Sequence, residues 1–214
     1  MPDTKPSAFP SLTLPSASTD QYIVIPSGGT ASKITLAGLQ QSLGAGYRNA
    51  STAAVAAGYA VDTYVAGSAV TVPAGSWKAG TSYNCQFDMA KTAAGTAAAV
   101  ITVRMGTLGT TGDASITTFT FAAGTAAADT GIFEVMVSFR SVGAGTSAVI
   151  DGWAKLLHGL TTTGLSNNTT NLALPAPAAS SGFNSTTQTI IGISFNGGAS
   201  FSGTCVGVKS YVLL

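Results

Sequence analysis

The chain has 214 residues, of which 8% are charged, and nine Lys+Arg against eight Asp+Glu leave a formal net charge of +1. An ordinary soluble domain carries about a quarter charged residues. Nine scattered cations cannot neutralise a run of phosphates, which excludes an electrostatic nucleic-acid binder. A coiled coil is excluded too, because it needs Glu, Lys and Leu at heptad spacing. At 45% hydrophobic residues the chain is too apolar for a charged disordered tail.

Residues 1–19 are rich in Pro, Ser and Thr, with Pro2, Pro6, Pro10 and Pro15 regularly placed. Proline removes donors and blocks helix, so an extended arm is expected. The start lacks the basic region and apolar run of a secretory signal. The most apolar windows, 93–103 and 148–157, fall short of the ~20 apolar residues of a bilayer span. Synthesis in the cytoplasm without membrane insertion is the expectation.

Residues 20–57 read as a small docking module and linker. Tyr22-Ile23-Val24-Ile25 is a strand by β-branched content. Pro26-Ser27-Gly28-Gly29-Thr30 is a turn, and Lys33-Ile34-Thr35-Leu36 returns as a second strand. Alternatively Thr35 caps a short helix carrying Leu36, Leu39 and Leu43 on one side. So short a module cannot build its own core and must dock on something.

Residues 58–214 read as one β domain. Strands are expected at 61–65, 69–72, 82–89, 100–105, 115–121, 132–142, 148–157, 190–195 and 205–214. The clearest alternation sets Phe133, Val135, Val137 and Phe139 against Glu134, Met136, Ser138 and Arg140. In 115–121, Ile116 falls with Thr118 and Thr120, opposite Phe119 and Phe121. The class is all-β: an antiparallel sandwich or jelly roll of about eight strands behind an extended N-terminal arm and the docking module. Its core should hold Phe87, Val103, Phe119, Phe121, Phe133, Val135, Phe139, Ile191, Ile193 and Val208. Residues 161–185 are polar and broken by Pro175 and Pro177, which suggests a binding or interface loop.

Catalytic chemistry is thinly supplied. There is one His and one Glu, His158 and Glu134, and no Gly-x-Ser-x-Gly elbow. His158 sits where a strand should end. Asp113 and Asp129 lie among Gly and Thr, where Asp makes turns. Asp88 and Asp151 lie in strand patterns, suited to pairing with a neighbouring Lys or Arg. No enzyme, cofactor or metal site is read. Cys85 and Cys205 are expected to be buried thiols, on first and last strands that could be neighbours. Two Trp could stack on sugar rings: Trp77 in a loop, read as the more exposed ring, and Trp153 in a strand. With Asn167, Asn168 and Phe183 of the long loop they are the candidate receptor or interface residues.

The segment Asp20-x-Ile-x-Ile-Pro-Ser-Gly-Gly-Thr-x-x-Lys-Ile-Thr-Leu-Ala-x-Leu39 resembles the N-terminal segment of many tailed-phage appendage proteins. Asp62-Thr63-Tyr64-Val65-Ala66-Gly67-Ser68, Thr130-Gly131-Ile132-Phe133-Glu134-Val135 and Phe195-Asn196-Gly197-Gly198-Ala199-Ser200 resemble phage virion structural proteins with a jelly-roll-like domain. The resemblance implies a homotrimer in a virion, in contact with other tail or capsid proteins. Asp20, Ile23, Ile25, Gly28, Gly29, Lys33, Leu36 and Leu39 would be its anchor. It implies a tail fibre or tail-appendage adaptor; a capsid decoration or head-fibre protein and a host-glycan-binding module are the alternatives.

Overall fold

A computed structural model describes residues 21–24, 32–35, 47–53, 55–174, 178–179, 183–187 and 190–214. The chain divides into two units, Met1–Ala45 and Gly46–Leu214. The arm, the Gly28-Gly29 turn, the helix alternative, and Asp20, Ile25, Leu36 and Leu39 lie outside the described residues. In the first unit, β1 (Gln21–Val24) and β2 (Ser32–Thr35) form an antiparallel pair, with Ile23 opposite Lys33 and Tyr22 opposite Ile34. The expected pair of strands is there, and Thr35 ends a strand.

The second unit is an all-β sandwich of antiparallel sheets. Its strands are β3 (Tyr47–Ser51), β4 (Val55–Gly58), β5 (Thr63–Tyr64), β6 (Val70–Thr71), β7 (Ser82–Lys91), β8 (Ala98–Gly106), β9 (Ala114–Ala123) and β10 (Asp129–Ser141). They continue with β11 (Val149–His158), β12 (Leu172–Ala173), β13 (Ala178–Ala179), β14 (Ile190–Asn196), β15 (Gly203–Cys205) and β16 (Val208–Leu213). The larger sheet runs β12-β11-β10-β7-β15-β4, with β16 between β7 and β3 and β13 on β11. The smaller runs β5-β14-β8-β9, with β6 also on β14. The chain passes between sheets after β4, β6, β7, β9, β13 and β14, and the first and last long strands, β7 and β16, are neighbours.

Strand alternation sets the core. On β7, Tyr83, Cys85, Phe87 and Met89 are buried; on β10, Phe133, Val135, Val137 and Phe139 are. Phe87 stacks on Phe133 within the larger sheet at 5.1 Å. Phe195 of the smaller sheet meets both rings edge-on, at 5.9 and 5.3 Å, and Phe121 meets Phe133 at 5.3 Å. Each fully buried Phe contributes about 2 kcal/mol of transfer free energy. All ten expected core residues are buried.

Three differences from the sequence reading have local causes. First, Ile116 is buried beside Phe119 and Phe121, although simple alternation sets it on the other face. A register shift pairs Val103 with Thr117 but Arg104 with Ser115, and this bulge turns Ile116 inward. Second, residues 47–57, read as module and linker, carry β3 and most of β4, which pair with β16 and β15. The strand count therefore exceeds eight. Third, the 161–185 loop returns to the sheet edge: β12 and β13 both pair with β11, and Leu165, Ser166, Phe183 and Ser185 are buried.

Candidate functional site

The outer face of the larger sheet carries the candidate site. Side chains that alternate with the core residues of β7, β10, β11 and β16 point outward. The registers align them in rows across the strands. One row runs Trp153, Met136, Asn84, Tyr211 and Arg48. The next runs Lys155, Glu134, Gln86 and Lys209. Together they enclose a groove of about 390 Å³, with Trp153, Tyr211, Asn84, Gln86, Glu134 and Lys209 among its lining residues. Trp153 and Tyr211 stand three strands apart in the same row, or about 14 Å at the usual strand spacing. Trp153 is half-buried and Tyr211 exposed. Gln86 Nε2 donates to Glu134 Oε1 at 3.3 Å, which orients both side chains along the floor.

A third row, Leu157, Ile132 and Asp88, leads into a neighbouring recess of about 430 Å³ lined also by Val206 and His158. Ile132, Leu157 and Val206 are 40–49% exposed there, an apolar band at one end of the face. Asp88 does not pair with a cation as its strand position suggested. Its Oδ1 accepts the amides of Val206 and Gly207 at 2.7 and 3.0 Å, closing the turn into β16. Asp151 likewise accepts a backbone amide, that of Gly152, at 2.8 Å.

His158 is no surface base. Its Nδ1 lies 2.6 Å from Asp129 Oδ2, and Asn171 Nδ2 lies 3.0 Å from its Nε2. With the Asn171 amide donating, the imidazole carries its proton on Nδ1 and gives it to Asp129. The two side chains are only 3% and 1% exposed. Asp129 also accepts the amides of Leu165 and Thr130, so it is a buried tie between β10, β11 and the following loop rather than the turn residue its sequence neighbours suggested. Lys91 Nζ donates to the carbonyls of Thr125, Ala127 and Gly164 beside it. Among the described residues no group of His, Cys, Asp or Glu has metal-binding geometry.

The candidate receptor residues separate. Trp77, expected to be exposed, is 4% exposed and packs on Phe139 at 4.8 Å; its loop folds the indole under the sandwich end. Phe183 is also core. Asn167 and Asn168 are exposed, and Asn168 Oδ1 accepts the Thr170 amide to shape the loop. Only Trp153 lines the groove. Of the anchor set, Ile23 and Lys33 are paired across β1 and β2. Tyr211, Asn84 and Gln86 were missed because β16 reaches the β7 face only through long-range pairing. Lys209 and Tyr211, both exposed and alternating with buried Val208, Ser210 and Val212 in the last strand, are the local signal of that face.

Cys85 and Cys205 are both free and buried, as expected. Burial pushes each thiol up to about 12. They are inert toward nucleophilic chemistry at neutral pH. No protein-family description, curated protein or solved structure matches the chain.

Proposed function

We propose that the chain is a non-enzymatic structural and display protein of a phage particle: a tail fibre or tail-appendage component, fixed through its N-terminal unit and presenting a trimeric β domain. The observation that carries this reading is the division of the chain. An N-terminal unit carrying the antiparallel β1–β2 pair is distinct from a sandwich with its own core. That is the order of an anchor followed by a displayed domain. The apolar band of Ile132, Leu157 and Val206 supports self-association, since such a band on one sheet face is what a neighbouring copy covers. The single Asp–His pair among the described residues is sealed from solvent and holds a loop, which supports a non-catalytic role.

The test is deletion of residues 1–45, with recovery in particles as the readout. The truncated chain is expected to fold and to be absent from purified particles. Normal incorporation would overturn the anchor assignment. Light scattering on the full chain is expected to give three times the chain mass, and a monomer at micromolar concentration would overturn the trimer. Density at the head rather than the tail in particle images would move the protein to a capsid decoration role.

A further inference from the structure

We propose that the groove across β7, β10, β11 and β16 is a binding site for a neutral oligosaccharide, with sugar rings stacked on Trp153 and Tyr211 and hydroxyls held by Asn84, Gln86, Glu134 and Lys209. The proposal stands independently of how the chain is anchored or assembled.

Four observations carry it. The groove volume, about 390 Å³, lies in the range of small-ligand sites, and its lining combines aromatic rings with a few convergent polar groups. The rings stand in one row about 14 Å apart at the usual strand spacing. A short oligosaccharide bridges that span and a single sugar does not. The apolar faces of pyranose rings suit flat aromatic side chains, whose rims stay accessible to water. Met136 and Asn84 stand between the rings, and the adjacent row is polar and pre-oriented, since Gln86 is already hydrogen-bonded to Glu134. Amide and carboxylate groups side by side offer both donors and acceptors, which is what vicinal hydroxyls require.

The geometry also favours a saccharide over a peptide. β7 is paired with β10 along one edge and with β16 along the other. The backbone of the floor is therefore consumed in the sheet, and no peptide strand can add to it. An occupant must be read by side chains alone. Of the residues that line it, one is a carboxylate and one an ammonium, Glu134 and Lys209, which offset each other; Lys155 and Arg48 stand at the ends of the two rows, beyond the lining. The exposed Trp77 imagined from the sequence is replaced in this role by Trp153.

The full chain should be titrated calorimetrically with cellohexaose, maltohexaose and mannohexaose, with glucose as the single-ring control. At least one hexaose is expected to bind while glucose does not. Trp153→Ala and Tyr211→Ala should each weaken it up to about tenfold, the range of a lost aromatic contact. Gln86→Ala should weaken it without altering the fold, as judged by circular dichroism. Trp153→Phe should retain binding, which separates ring stacking from a folding defect. Failure of all three hexaoses to bind at millimolar concentration would overturn the proposal. So would binding that survives both alanine substitutions, or hexaose binding that is abolished by high salt.

Discussion

Asp129 and His158 form a buried pair at 2.6 Å that joins the start of β10 to the end of β11. The pair holds more than two strands. The same Asp129 Oδ2 accepts the Leu165 amide, and His158 Nε2 faces Asn171, so both ends of the 159–171 loop close on one contact. Gly164 sits against the carboxylate at φ +87, and a Cβ there would run into Asp129. The loop conformation and the Asp129–His158 hydrogen bond therefore specify each other.

Replacing Asp129 by Ala leaves His158 and the Leu165 amide without their acceptor in a buried site. Leaving buried donors without their acceptor costs about 1–3 kcal/mol. Asp129→Ala should lower the urea midpoint accordingly and raise hydrogen exchange at Leu165. Unchanged stability would show that the pair is not a structural tie.

The two tryptophans should respond in opposite ways. Trp77 is core and packs on Phe139, so Trp77→Ala removes a large buried ring, at a cost of about 3–5 kcal/mol. Trp153 stands half-buried over the groove, and Trp153→Ala should cost about 1 kcal/mol or less. Thermal unfolding of the two variants checks the order, and equal losses would contradict it.

That contrast marks how far the sequence is legible. Alternation along 132–142 and 82–89 is a local signal, and it identifies β10, β7 and their buried faces. The core list follows because Phe and Val at period two have only one face to bury. Ile116 departs because a bulge is a property of two strands, and only its pairing with β8 reveals it. β3 and β4 are short and rich in small or polar residues, and their strand state comes from the edges of β16 and β15. Trp77 looks like a loop residue, and it is one; its burial depends on Phe139, far along the chain. The groove was half legible: Trp153 was a candidate, but its partner Tyr211 lies across two intervening strands.

Buried protons should govern the alkaline limit of stability. Desolvation raises Cys85 and Cys205 from 9.0, and Tyr64 from 10.0, each to about 12. Tyr83 is raised as well, for the same reason. The unfolded chain releases these protons near their ordinary values, while the folded chain retains them. Their contribution is complete below about pH 9 and is lost as pH rises toward 12, by up to about 1.4 kcal/mol per unit for each group. Urea unfolding should give a flat stability near pH 8 and a falling one above pH 9, less steep in Cys85→Ala. A free energy constant to pH 11 would refute the burial argument.

The same burial predicts thiol behaviour at neutral pH. A thiolate is the reactive form, and neither Cys85 nor Cys205 can reach it or solvent in the folded chain. Ellman's reagent should detect no thiol in native protein at pH 8 and two in urea. Rapid native labelling of either cysteine would mean that the β15–β16 edge opens readily.

Arg104 closes the outer side of the smaller sheet. Its Nε donates to Ser194 Oγ at 2.8 Å, its Nη1 to the Asp113 carbonyl at 2.9 Å, and its Nη2 pairs with Asp62. Three directions of donation from one planar group fix β14, the β8–β9 loop and the segment before β5 together. Lysine keeps the charge but loses the fork. Arg104→Lys should therefore cost about 1–2 kcal/mol, close to the loss in Arg104→Met. Asp62→Asn should cost less, because Asp62 is one-third exposed and that pair is partly screened. Equal stability of Arg104→Lys and the parent chain would assign the contribution to charge alone, and a larger loss in Asp62→Asn than in Arg104→Lys would reverse the ranking of the three contacts.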